Sequence, residues 1–187
     1  MSKKLNTLMI IVAIISLVLP ASALAKPVQA PVNPVSFTIL HTNDFHGQLE
    51  PSGSNPGMAR LAYVVNDIRG TVGADNVLLV DAGDEMQGSL LSNLWKGVPV
   101  IDVFNNMDYV VATFGNHEFD WGQTILISRT SEALYPYVSA NIVVNDTGDC
   151  ATAGWDQPTF VSAPYAIQTI GTAPDAVNIG FIGVTTQ

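Results

Sequence analysis

The chain has 187 residues and a formal net charge of −9, from 7 Lys and Arg against 16 Asp and Glu. An acid excess of that size excludes the basic footprint that nucleic acid or an anionic membrane surface needs in a partner. The single cysteine, Cys150, excludes an intrachain disulfide, and no Cys or His stands near it at zinc-ligand spacing.

In chain order, residues 1–25 read as a signal peptide. Lys3 and Lys4 form a basic start, residues 8–19 are apolar, and Ala23-Leu24-Ala25 fits a small-residue cleavage site. The apolar run is well short of the roughly 20 residues that span a bilayer, so no stable membrane span is expected. Export would place the protein outside the cytoplasm, in a periplasm, in the medium or at a cell surface. Losing Lys3 and Lys4 takes the formal charge from −9 to −11. Residues 26–35 hold three prolines and read as a flexible mature terminus. Residues 36–187 form a single domain stretch with no internal repeat.

Within that stretch, strands alternate with helices. A short β-forming run at 37–40 leads into His41-Thr42-Asn43-Asp44-Phe45-His46-Gly47. Residues 57–69 place Met58, Leu61, Val64, Val65 and Ile68 at helical period, and Gly70 suits the end. A second strand at 77–80 leads into Asp81-Ala82-Gly83-Asp84. Short helices are expected at 86–95 and 100–107, interrupted by Gly97 and Pro99. A third strand from Val110 leads into Gly115-Asn116-His117-Glu118-Phe119-Asp120. A helix near 123–134 and strands at 137–144, 160–170 and 177–185 complete the pattern, with a surface loop at 145–159. The loop contains the N-glycosylation sequon Asn145-Asp146-Thr147. The last apolar run, 180–184, is followed by the position where a further polar tip is expected.

Three strands that each end in polar residues imply one shared site beyond the carboxyl ends of a sheet. Asp44 and His46 are two apart, so in extended backbone they face the same way and one metal ion can take both. A carboxylate at Asp84 could bridge two ions about 3.5 to 4 Å apart, with the Asn116 oxygen on the second. Bland readings stand beside these: Asp44 as a turn residue, His46 as an exposed imidazole, Asp84 as a helix cap. Asp81 competes with Asp84 for the bridging role. In extended backbone His117 diverges from Asn116 and cannot easily share its metal ion, and Asp120 could fix its tautomer.

The ordered set Asp44-x-His46, Gly83-Asp84 and Gly115-Asn116-His117-Glu118 resembles the calcineurin-like metallophosphoesterases, and within them the secreted 5'-nucleotidase branch. The resemblance runs from about Phe37 to the last residue. It implies an α/β fold of β-sheet layers flanked by helices, an αββα sandwich, incomplete here at the C-terminus. It implies two divalent metal ions (Mn, Zn, Mg or similar), with Asp44 and His46 on one, Asp84 between them and Asn116 on the other. It makes His117 catalytic with Asp120 as its partner and favours Asp84 over Asp81 as the bridge, while Glu118 and His41 are read from their places in the sequence as orienting the ligands from behind. A nucleotide or other phosphoester is the implied substrate. In the family, further His ligands and a nucleoside-binding domain lie downstream, whereas the histidines here are His41, His46 and His117. The expectation is therefore the N-terminal portion of a longer hydrolase, weakly active or inactive by itself. The alternative is a short, non-catalytic secreted domain with a residual metal site.

Overall fold

A computed structural model of the chain describes residues 34–142 and 162–185. The β-forming runs become four parallel strands: β1 (Thr38–Thr42), β2 (Val77–Asp81), β3 (Tyr109–Thr113) and β4 (Tyr137–Val138), side by side in that order. Parallel direction puts all four carboxyl ends at one edge of the sheet. Val77, Leu78 and Leu79 of β2 are all buried, so this central strand reads as a continuous apolar run. At the edge, β1 alternates between partly buried and exposed residues.

Helices cover the sheet. The first, α1 (Met58–Val72), runs between β1 and β2 and buries Met58 and Val65. Arg69 in its last turn donates to the Met107 carbonyl at 2.8 Å, which ties the helix to the turn before β3. After β2 come α2 (Leu90–Leu94) and α3 (Val98–Asn106), and α4 (Gln123–Glu132) follows β3. Phe104 of α3 is fully buried and stacks on Tyr109 of β3, with centroids 3.9 Å apart. Tyr135 and Tyr137 extend the same aromatic core. Two further strands, β5 (Tyr165–Ile170) and β6 (Val177–Ile182), pair antiparallel with each other as a second sheet. Their ends meet the parallel sheet through a bridge from Val138 to Ala163 and an Ala140 N–H to Gly183 carbonyl bond of 2.8 Å.

The expected α/β class, a parallel sheet flanked by helices, is what the chain adopts. Several boundaries differ. The helix expected at 86–95 is reduced to α2, because side chains of the next turn capture the preceding backbone: Ser92 Oγ donates to the Met86 carbonyl, and Gly88 donates to Asn93 Oδ1. Pro99 does not interrupt a helix but sits in the first turn of α3, where a missing N–H costs nothing. Of the strand expected at 137–144, only Tyr137 and Val138 pair with β3 among the described residues, since the amides of Ser139 and Ala140 turn to Ala163 and Gly183. The strand expected from 160 begins at Tyr165. The loop at 145–159, with Cys150, and the signal segment lie outside the described residues. Among the described residues no helix is long and apolar enough to cross a membrane.

Candidate metal centre and catalytic pair

The loops after β1, β2 and β3 are laced together at the carboxyl edge. The amides of Asp44, His46 and Gly47 donate to the carbonyls of Gly83, Asp84 and Glu85 at 2.9, 2.9 and 2.8 Å, which carries the β1–β2 pairing past the strands. The β2 and β3 loops approach still more closely. A Cβ on Gly83 (φ +99°) would collide with the backbone of Gly115, and a Cβ on Gly115 with the Asp84 carboxylate. Only glycine satisfies both sides of that crossing.

Asp44, His46 and Asp84 each offer one donor atom, and the three atoms lie within 4.8 Å of one another. Two carboxylate oxygens and an imidazole nitrogen suit a divalent cation. The convergence does not arise from extended backbone, as the spacing suggested. All three residues are left-handed, with φ of 49°, 51° and 56°, a conformation that costs a non-glycine residue about 1 kcal/mol or more. The inter-loop hydrogen bonds hold it. His46 Nδ1 lies 2.8 Å from the Gln87 carbonyl, so this nitrogen is the donor and Nε2 keeps its lone pair for a ligand. Asn43 donates to the Asp44 carboxylate at 2.7 Å, which orients that group as well.

Asn116 opens the third loop, exposed and with helical backbone (φ −77°, ψ −29°), ahead of a 3-10 turn at His117–Phe119. The extended geometry expected for Asn116 and His117 is therefore also absent. The His117 amide donates to Asp84 Oδ1 at 2.8 Å, and its Nδ1 lies 2.8 Å from Asp120 Oδ2. Its ring stands edge-on to that of His46, with centroids 5.3 Å apart. The hydrogen bond to Asp120, with nearby carboxylates adding to it, holds the imidazole above its ordinary pKa. A ring so held keeps its proton to a higher pH than a free imidazole does, which suits a proton donor.

Behind these groups lie buried acids. Glu118 accepts backbone hydrogen bonds from Gly115 (2.7 Å), Asp84 (2.8 Å) and Glu85 (2.9 Å), so one carboxylate clamps both loops. Burial nonetheless raises its pKa. Asp81 ends β2, accepts from Thr42 Oγ1 at 2.5 Å and the Gly83 amide at 2.7 Å, and is pushed by burial to about 7. It braces the turn and is not among the three clustered donors. His41 belongs to β1 and is exposed, its Cα partner in the register being Val80. Sequence reasoning missed Glu85. That residue is fully buried, receives the Tyr137 hydroxyl, and sits well above its ordinary pKa because of burial. The only hint was a charged residue directly after Asp84, where the chain turns back into the core.

The model for the calcineurin-like phosphoesterases matches residues 37–172. A 5'-nucleotidase of Bos taurus is 36% identical over 166 residues, covering 82% of this chain and 27% of that protein. A 2',3'-cyclic-nucleotide 2'-phosphodiesterase/3'-nucleotidase of Salmonella typhimurium is 32% identical, over 87% of this chain and 27% of its own length. The crystal structure of a 5'-nucleotidase precursor from Thermus thermophilus superposes with a TM-score of 0.60 at 32% identity, covering 79% of this chain and 28% of that one. The chain thus spans about a quarter of the length of the relatives it matches. With the family model extending over all of β1 to β5 and the tips of β1, β2 and β3, this chain belongs to the calcineurin-like phosphoesterases.

Proposed function

We propose that this chain is the metal-binding N-terminal part of an exported phosphoester hydrolase that acts on nucleoside 5'-phosphates. The observation that carries this reading is the convergence of Asp44, His46 and Asp84 next to the His117–Asp120 pair. The donors fit a divalent ion of the Mn, Zn or Mg kind. Asp84 has a second oxygen and Asn116 an amide oxygen for a second ion. Bound there, divalent metal supplies a hydroxide-like nucleophile and the positive charge that this acidic loop cluster lacks. The chain's own residues do the rest. The Gln87 carbonyl keeps His46 in the tautomer that leaves Nε2 free. Asn43 and the His117 amide orient the carboxylates of Asp44 and Asp84. His117, protonated at Nε2 and steadied through Nδ1 by Asp120, donates its proton to the leaving oxygen.

The choice of a nucleoside 5'-phosphate follows the relatives whose names carry that activity, and the Salmonella relative marks the cyclic and 3'-phosphates as competitors. The test is His117→Asn in the longest protein that contains this chain, with turnover of nucleoside 5'- and 3'-monophosphates and metal content measured together. Turnover of the 5'-phosphate is expected to fall on the order of a hundredfold, the usual contribution of a positioned acid, with metal retained. Unchanged turnover contradicts the role of His117, and preference for the 3'-phosphate contradicts the substrate. Residues 1–25 are proposed as a signal peptide, with 26–35 as a loose terminus and 36–187 as the domain. N-terminal sequencing of exported protein should start near Lys26. Met1 retained in a membrane fraction would mean an anchor.

A further inference from the structure

We infer that Glu85, held by the Tyr137 hydroxyl, is a positioning residue for the left-handed turn at Asp84 and for the loop that carries Asp44 and His46. Three bonds from this one residue reach the three other strands of the parallel sheet. Its carbonyl accepts from Gly47, beyond β1, at 2.8 Å. Its amide donates to Glu118, beyond β3, at 2.9 Å, and its carboxyl receives the hydroxyl of Tyr137 on β4. Tyr137 is itself fixed, stacked on Phe114 with centroids 4.8 Å apart and rings 12° from parallel. Phe114 precedes Gly115, so the stack continues to the β3 loop.

The chemistry of the position argues for direction rather than filling. Glu85 is 0% exposed, and its Oε2 has no hydrogen-bond partner among the described residues. A carboxyl in that state costs more than an apolar side chain of the same size, which would fill the volume without desolvating a polar group. What an apolar residue lacks is an oxygen that a hydroxyl can grip. With the side chain gripped from β4, the backbone of Glu85 cannot rotate freely. Its neighbour Asp84, at φ 56°, is then held in a conformation that persists only where the surroundings over-determine it. Among the described residues the Glu85 carboxyl makes no hydrogen bond to the side chains of Asp44, His46 or Asp84, so it acts on them through the backbone.

The consequence for metal affinity rests on the metal reading proposed above, whereas the loop geometry does not. Amide hydrogen exchange therefore judges the inference and Mn2+ titration judges its consequence. Both use the full chain, comparing the parent with Tyr137→Phe, Glu85→Gln and the double variant Glu85→Met/Tyr137→Phe. Tyr137→Phe is expected to speed exchange at His46 and Gly47 about tenfold, one hydrogen bond's worth, while amides of β2 and β3 keep their parental rates. Mn2+ affinity should fall about tenfold with it. Glu85→Gln keeps the accepting oxygen and should stay near the parent in both. The double variant removes both polar partners, so it should fold well yet show the same fast exchange, and it decides the matter if Tyr137→Phe does not fold. Parental exchange at His46 and Gly47 in the variants that cut the contact overturns the inference. So does a rise shared equally by β2 and β3, which would reveal a merely structural role. A parent that binds no Mn2+ counts against the metal reading, and the exchange pattern still decides this one.

Discussion

The carboxyl edge of the parallel sheet and the β5–β6 hairpin, both made of short strands, are built to opposite tolerances. At the edge, Asp44, His46 and Asp84 are left-handed, the Gly83–Gly115 crossing admits no Cβ, and the carboxyls of Asp81, Glu85 and Glu118 are buried. The hairpin holds itself by a plain antiparallel ladder from Tyr165–Ile182 to Ile170–Val177 and leaves Ile182 73% exposed. Stability alone asks for the second kind of construction. The first kind, with acids out of water and backbone in costly conformations, persists where a geometry must be kept for chemistry.

Glycine substitution should separate the two regions most widely. Gly83→Ala puts a methyl into the Gly115 backbone at a positive φ, and is expected to cost about 3 kcal/mol or more, or to abolish folding. Gly180→Ala in β6 meets open space at an ordinary φ, and should change stability by no more than about 0.5 kcal/mol. Denaturant midpoints of the two variants measure the contrast. Equal losses would erase the distinction between the two regions.

A smaller effect should appear in pH dependence, and it belongs to the edge alone. Burial moves Asp81 from 3.8 to about 7, so between those values the folded chain holds a proton that the unfolded chain has released. The Asp81 contribution to the stability of the metal-free chain should therefore fall as pH rises through that window and level off above about 7. The raised pKa of His117 has the same sign, since its contribution is present at low pH and is lost as pH rises through the folded value. Thermal unfolding of metal-free protein is expected at a higher temperature at pH 5 than at pH 8, with Asp81→Asn flattening the slope. A slope of opposite sign would mean that Asp81 is not a buried acid in solution.

Much of the edge was legible in the sequence, because the signals there are local. Apolar runs that end in Asp81-Ala82-Gly83-Asp84 and Gly115-Asn116-His117 mark strands with polar tips, and parallel order then brings the tips to one edge. The backbone at those tips was not legible. Alternation of side chains assumes extended backbone, and nothing in Asp44-x-His46 announces left-handed conformations that depend on carbonyls of residues 83 and 84. The tolerance of Asp and His for that region was the one available clue. Glu85 escaped for a similar reason: its partner Tyr137 is 52 residues away and looks like an ordinary aromatic strand residue. The short β4 and the trimmed α2 were missed because side chains and distant strands outcompete their local pairing.

Asp44, His46 and Asp84 are proposed as a metal centre to which His117 is adjacent without being a ligand. Calorimetric Mn2+ titration of the chain beside Asp84→Ala and His117→Asn tests it most directly. The parent should take up Mn2+, and Asp84→Ala should lose more than the roughly 10- to 100-fold that removing an outer partner costs. His117→Asn should keep the parental affinity. Parental binding by Asp84→Ala, or loss of binding in His117→Asn, would contradict it.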